Sequence, residues 1–211
     1  AYVDHPSFGH AIISRVVESE GFSIAIISQP KTDQDYKKFG RPNIAFLISG
    51  GVVDSMVNNY TVAKFPRKRD EYSEGGRVGN RPDRAVTVYS RVLKRLYPDV
   101  PIIIGGIEAS LRRMAHYDYW DNVVKPSILV DSRADLLMYG MGERALWNVL
   151  DAIKRGIPVK KIKDVDGTAF LQSYHNLPKE VKEKIDNNDI MFCPSFEEVC
   201  ADRLKYVQAF K

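Results

Sequence analysis

At 211 residues the chain is long enough to bury a substantial core, and one α/β domain, or one domain with a C-terminal extension, is expected. Its 44% hydrophobic and 27% charged content is that of an ordinary soluble globular protein; no apolar run approaches a membrane span, so a cytoplasmic protein is expected. A net charge of +4 is too small to argue nucleic acid by itself, and two cysteines, Cys193 and Cys200, fit neither a disulfide framework nor a closed zinc site.

The chain opens at Ala1 without methionine and stops at Lys211 inside a helical pattern, so a piece of a longer protein is expected. Asp4, His5, Ser7 and Gly9 stand before the first helix, where Asp and His are candidates for binding a ligand and equally for capping and surface roles. Phe8, Ile12 and Val16 repeat at helical spacing, predicting a helix from Pro6 to Glu20 that ends at Gly21. Phe22 to Ser28 then reads as a strand, Asp33 to Phe39 as a short helix and Asn43 to Ser49 as a second strand. Gly50-Gly51 closes that strand, and Val52 to Tyr60 is helical in pattern.

Lys64 to Arg84 carries seven Lys or Arg against four acids, with three glycines and two prolines. A loop this long is functional or disordered, and a lid over a neighbouring site suits it better than a nucleic-acid patch, because aromatics for base stacking are few. A helix follows over Asp83 to Leu96. The β-branched run Ile102 to Ile104, without polar alternation, suits a strand covered on both faces.

Gly105-Gly106 ends that strand, and Ile107 to Ala115 reads as a helix whose free N–H groups offer an anion or nucleotide cradle. The turn lacks the further glycine of a dinucleotide fingerprint. Glu108 is placed to reach a ribose hydroxyl or a cation. His116 and Tyr117 open a cluster able to stack on a flat ligand or move protons, or simply to pack, and His116 is the one candidate catalytic group.

Ala134 to Tyr139 is another buried strand, ending in Gly140-Met141-Gly142-Glu143 before a helix over Arg144 to Lys154. Glu143, like Glu108, follows a glycine turn, although a helix N-terminus favours a glutamate without any ligand. Strand–helix alternation predicts a Rossmann-like, flavodoxin-like α/β domain over residues 1–157, doubly wound with a mostly parallel sheet. Ligands in such sheets sit beyond the strands' carboxyl ends, which gathers Ser49, Gly50, Gly51, Gly105, Gly106, Gly140 and Gly142 on one edge.

Residues 158–211 read as a peripheral α-rich extension, with a short strand at Thr168 to Gln172 and a helix over Pro178 to Ile185. Ser195 and Glu198 form a capping box opening a last helix, on which Cys200 falls beside Phe196 and Leu204 and reads as a packing residue.

Several long words carry a resemblance: Tyr2 to Gly9, Asp54 to Thr61, Asn80 to Ala85, and Gly105 to Arg113 with Ala115 to Trp120. Together they closely resemble the N-terminal region of the YgiQ-type (UPF0313) radical SAM proteins, over nearly the whole chain. The resemblance implies an intact enzyme of unassigned substrate, whose catalytic domain holds a [4Fe-4S] cluster on a C-x-x-x-C-x-x-C motif and uses S-adenosylmethionine. That motif is absent here, so no metal ligand carries over onto this chain, and its partner is its own C-terminal radical SAM domain.

Regions of this kind are also similar to cobalamin-binding domains. Asp4, His5 and Gly9 partly echo the cobalt-ligating D-x-H-x-x-G pattern, but with Asp and His adjacent and glycine four residues after His. The resemblance thus implies a degenerate or repurposed crevice. The alternatives from other classes are a stand-alone nucleotide- or RNA-binding module and an interaction domain whose crevice is empty.

Overall fold

The computed structural model describes residues 9–177, 179–191 and 193–209, so Asp4, His5 and Ser7 lie outside the described residues. Its strands are β1 (Phe46–Ser49), β2 (Ile102–Gly105), β3 (His116–Asp118), β4 (Val123–Lys125), β5 (Leu136–Met138) and β6 (Thr168–Ala169). Its α-helices are α1 (Gly9–Ser19), α2 (Asp33–Lys37), α3 (Ser55–Asn59), α4 (Ala85–Leu96) and α5 (Gly106–Leu111) in the first half. The second half holds α6 (Ile128–Ser132), α7 (Glu143–Lys154), α8 (Lys179–Asp186), α9 (Phe196–Ala201) and α10 (Arg203–Gln208).

β1, β2 and β5 lie side by side and parallel, with Ile48 opposite Ile104 and Ile104 opposite Leu137. β6 adds antiparallel to β5, while β3 and β4 pair as a separate hairpin. Successive strand residues point to opposite faces. Ile102, Ile104 and Leu137 accordingly pack with Tyr36 of α2, Val86, Tyr89 and Leu93 of α4, and Ile128 and Leu129 of α6. Ile103, Leu136 and Met138 pack with Val17 of α1 and with Leu146, Val149 and Leu150 of α7.

The molecule is therefore α/β, with a mostly parallel mixed sheet and helices against both faces. Ile102, Ile104, Leu136 and Leu137 are fully buried. Each contributes about 2 kcal/mol of apolar burial, which is why the all-isoleucine run of β2 takes the central position.

Three expectations change. Phe22 to Ser28 forms no strand: Phe22 and Ile24 pack against the α1–α7 core while Ala25 and Ile26 are exposed. β-branched residues favour an extended backbone, but a strand also needs a paired edge. The helix after Gly106 stops at Leu111 rather than Ala115, because the Arg112 carbonyl accepts the Ile128 N–H and the chain turns into the β3–β4 hairpin. Asn122, at φ 57°, supplies the left-handed residue of that hairpin turn.

Cys200 is exposed, not packed. The Ser195–Glu198 capping box does open α9, but Asp202 breaks the helix and caps α10, so the stripe that would have buried Cys200 with Leu204 is interrupted. Val199 is buried on α9 instead.

Gly106 has φ +80°, and a Cβ there would stand 2.5 Å from the Ser49 Oγ. Both backbone strain and a close contact therefore oppose any side chain at this turn. Gly106→Ala is expected to destabilise the protein by about 1–3 kcal/mol, read as a lowered thermal midpoint.

Candidate functional site

Because β1, β2 and β5 are parallel, their carboxyl ends share one edge, and each runs into glycine: Ser49-Gly50-Gly51, Gly105-Gly106 and Tyr139-Gly140. The Ser49 Oγ accepts the Gly51 N–H at 3.2 Å within the first turn, and the Ser110 Oγ of α5 accepts the Gly140 N–H at 3.2 Å, tying α5 to the third turn. Gly142 caps α7, and Glu143 occupies its first turn, partly buried. The structure thus brings Ser49, Gly50, Gly51, Gly105, Gly106, Gly140, Gly142 and Glu143 to this edge. Two shallow hollows, of about 330 Å³ beside Ile27 and Gln29 and about 280 Å³ beside Asp151 and Asp166, involve none of these turns.

Beneath the edge lies a buried polar network. Glu108 is 1% exposed; its Oε2 accepts the Ser55 N–H at 3.0 Å and its Oε1 accepts the Val86 N–H at 2.9 Å. One carboxylate therefore caps the N-termini of both α3 and α4, where free N–H groups and helix dipoles favour an anion. Gly50 makes room for it, since a Cβ at that position would lie 2.6 Å from the Glu108 Oε2. Asp54 caps α3 through the Met56 N–H and pairs with Arg112, whose guanidinium also donates to the Glu108 carbonyl at 3.3 Å.

Arg81 completes the network, and its side chain is wholly buried. Its Nη1 donates to the Gly50 carbonyl at 3.2 Å and the Val53 carbonyl at 3.1 Å, and its Nη2 stands 3.5 Å from the Asp70 carboxylate. Asp70 is itself held by the Tyr72 N–H and the Ser73 hydroxyl. Lys64 to Arg84 is thus fastened to the first glycine turn from within. Arg67 donates to the Val57 and Tyr60 carbonyls, so several cations of the segment serve the fold rather than face a ligand.

The hairpin carries the remaining candidates. His116 is half-buried, with its Nδ1 3.1 Å from the Met114 carbonyl. Burial holds the imidazole below its usual value against the opposing pull of that carbonyl, so the ring is neutral near pH 7. A neutral ring that donates Nδ1–H to Met114 presents its Nε2 lone pair. The Tyr117 N–H donates to the Tyr206 hydroxyl of α10, and its own hydroxyl donates to Asn122, so this residue latches the hairpin to the C-terminal helices.

Arg84 and Lys125 bracket Asp118 and Asp121. Burial pushes the Asp118 carboxyl up, but the Asp121 N–H, Arg84 and Lys125 outweigh it and hold it at about 2. A depressed carboxylate stabilises the fold above its unfolded value of about 4, and that stability is lost as pH falls toward about 2. Asp118→Asn is expected to abolish the acid-sensitive step in Trp120 fluorescence across that window, and an unchanged step would reject the assignment.

Asp54, Ser55, Asp70, Arg81 and Arg112 are the residues that sequence reasoning left unassigned. The signal was present, since all but Asp70 lie in the long words Asp54 to Thr61, Asn80 to Ala85 and Gly105 to Arg113. Charged residues within otherwise apolar or turn-forming words mark buried pairs as readily as ligand contacts.

Against known proteins, the family described as Radical SAM N-terminal matches residues 1–211. The chain is 51% identical to a UPF0313 protein of Clostridium botulinum strain Okra over 213 residues, covering all of this chain and 32% of that protein. It is 50% identical to a UPF0313 protein of Clostridium perfringens strain ATCC 13124, covering all of this chain and 31% of that protein. The chain thus spans about a third of the length of the curated relatives it matches. No solved structure matches it.

Proposed function

Since the chain belongs to the Radical SAM N-terminal family, we propose that it is the N-terminal domain of a radical SAM iron–sulfur enzyme and positions substrate or cofactor for that enzyme's catalytic domain. The observation that carries this reading is the edge where three parallel strands end in glycine turns, the third tied to α5 by Ser110, with the Glu108–Arg81 network beneath. The first-turn N–H groups of α5 and α7, which have no partner within their own helices, suit an anionic or nucleotide-like group.

In this reading the domain is Rossmann-like over residues 1–157, and residues 158–211 form an extension that adds β6 to the edge of the sheet and Val159 and Ile162 to its core before leading to the catalytic domain. Ligand contacts come from Ser49, Gly50, Gly51, Gly105, Gly106, Gly140, Gly142 and Glu143, with His116 and Tyr117 at the flank and Asp4 and His5 as further candidates. Glu108 supports the edge from below. The intact protein is cytoplasmic and holds a [4Fe-4S] cluster and S-adenosylmethionine, which supply its radical chemistry.

The described residues of this chain do not fit the cluster. Cys193 is half-buried, Cys200 is exposed, and no group of three His, Cys, Asp or Glu able to hold a metal occurs among the described residues. Also among the described residues, no helix is long and apolar enough to cross a membrane.

The test is anaerobic reconstitution of the full-length protein with iron and sulfide, followed by reduction with S-adenosylmethionine present. Bound cluster iron and release of 5′-deoxyadenosine are expected. A protein that retains no cluster and leaves S-adenosylmethionine intact would reject the reading.

A further inference from the structure

Among the described residues, exposed apolar side chains border the glycine edge. Ile107 and Leu111, one turn apart on α5, are 46% and 60% exposed, and Met141, in the turn after β5, is 89% exposed. The Ser110 Oγ bonded to the Gly140 N–H and the Arg113 guanidinium 5.1 Å from the Tyr139 ring centre hold α5 and this turn together. Ser110 stands between Ile107 and Leu111 on α5 and Met141 follows Gly140 in the chain, so the three side chains flank one hydrogen bond between the two elements. Single exposed apolar residues need no explanation, but a bordered group beside a ligand edge marks an interaction surface.

We infer that Ile107, Leu111 and Met141 form the face on which the remainder of the intact polypeptide docks, so that the glycine edge is closed by the catalytic domain. The inference rests on the radical SAM reading above and deepens it by naming the contact. Its occupant follows from length. The relatives carry about twice as much chain beyond the matched third, and a covalently attached domain meets this face at a far higher effective concentration than a second copy does.

The chemistry of the face agrees with that occupant. An apolar contact rimmed by Arg113 and by backbone amides excludes water from the turns while leaving polar groups to hold a small ligand. A radical reaction needs such exclusion, because an open edge would let solvent and stray hydrogen donors reach the reacting atoms.

The test places the photocrosslinker p-benzoylphenylalanine at position 141 of the full-length protein, with the same substitution at Phe39, 56% exposed outside the face, as control. Irradiation is expected to join position 141 to residues of the same chain's catalytic domain, and position 39 to none. In parallel, the double variant Ile107→Asp with Leu111→Asp is expected to raise protease cleavage between the domains about tenfold. Both substituted positions are already exposed, so the fold of this domain is retained.

Cross-links running chiefly between two chains, or equal yields at positions 141 and 39, would overturn the docking face. Cluster content and 5′-deoxyadenosine release on the same preparation separate the two failures. If both are present while position 141 fails to cross-link, only the docking face is wrong; if both are absent, the radical SAM reading fails with it.

Discussion

Glu108→Ala is expected to remove about 3–5 kcal/mol of stability, a large part of the 5–15 kcal/mol that holds a domain of this size together. Two charge-assisted hydrogen bonds disappear at once, to Ser55 and Val86, and each leaves a helix N-terminus buried with an unmet donor. Glu108→Gln keeps an acceptor oxygen and is expected to lose about half as much, because only one of the two amides still finds a partner. Urea unfolding gives the size of the loss. Hydrogen exchange at the Ser55 and Val86 amides locates it, since both should exchange faster in the alanine variant while amides of α7 change only with global stability. Unchanged protection at those two amides would show that Glu108 does not cap α3 and α4.

Arg81→Met is expected to cost a further 3–5 kcal/mol by a different route, leaving the Asp70 carboxylate buried without its cation. The Gly50 and Val53 carbonyls lose their donor in the same substitution. The local consequence is the release of Lys64 to Arg84 from the first glycine turn, read as new protease cleavage within that segment. Removing both charges, as Arg81→Met with Asp70→Asn, should cost less than Arg81→Met alone, because an unpaired buried charge is worse than none. Additive losses would mean that the 3.5 Å pair contributes nothing to holding the segment.

Much of the fold is legible in the linear pattern. The run Ile102 to Ile104 declares a strand buried on both faces, and the 3.6-residue stripe of Ala85, Tyr89, Leu93 and Leu96 declares α4. The Ser195–Glu198 box gives the start of α9 to the residue. Phe22 to Ser28 shows where such reading stops, because its composition suits a strand and the chain gives it no ladder. The β3–β4 hairpin hides for the opposite reason. Its turn is the four residues 119–122, without a two-residue glycine signal, and the aromatic residues in it look like a ligand cluster until Tyr60 is seen packed on Trp120 and Tyr119 donating to the Val62 carbonyl.

By itself the sequence determined the α/β alternation, the glycine turns, the absence of a cluster motif and the family words, all of which are properties of neighbouring residues. Only the tertiary structure decided what Glu108, Arg81 and Asp70 do. Ser55 and Glu108 are 53 residues apart in the chain, and Gly50 and Arg81 are 31 apart. Whether a charged side chain faces solvent, a ligand or a buried helix end depends on what the folded chain brings against it, and desolvation then fixes which of those roles it can hold.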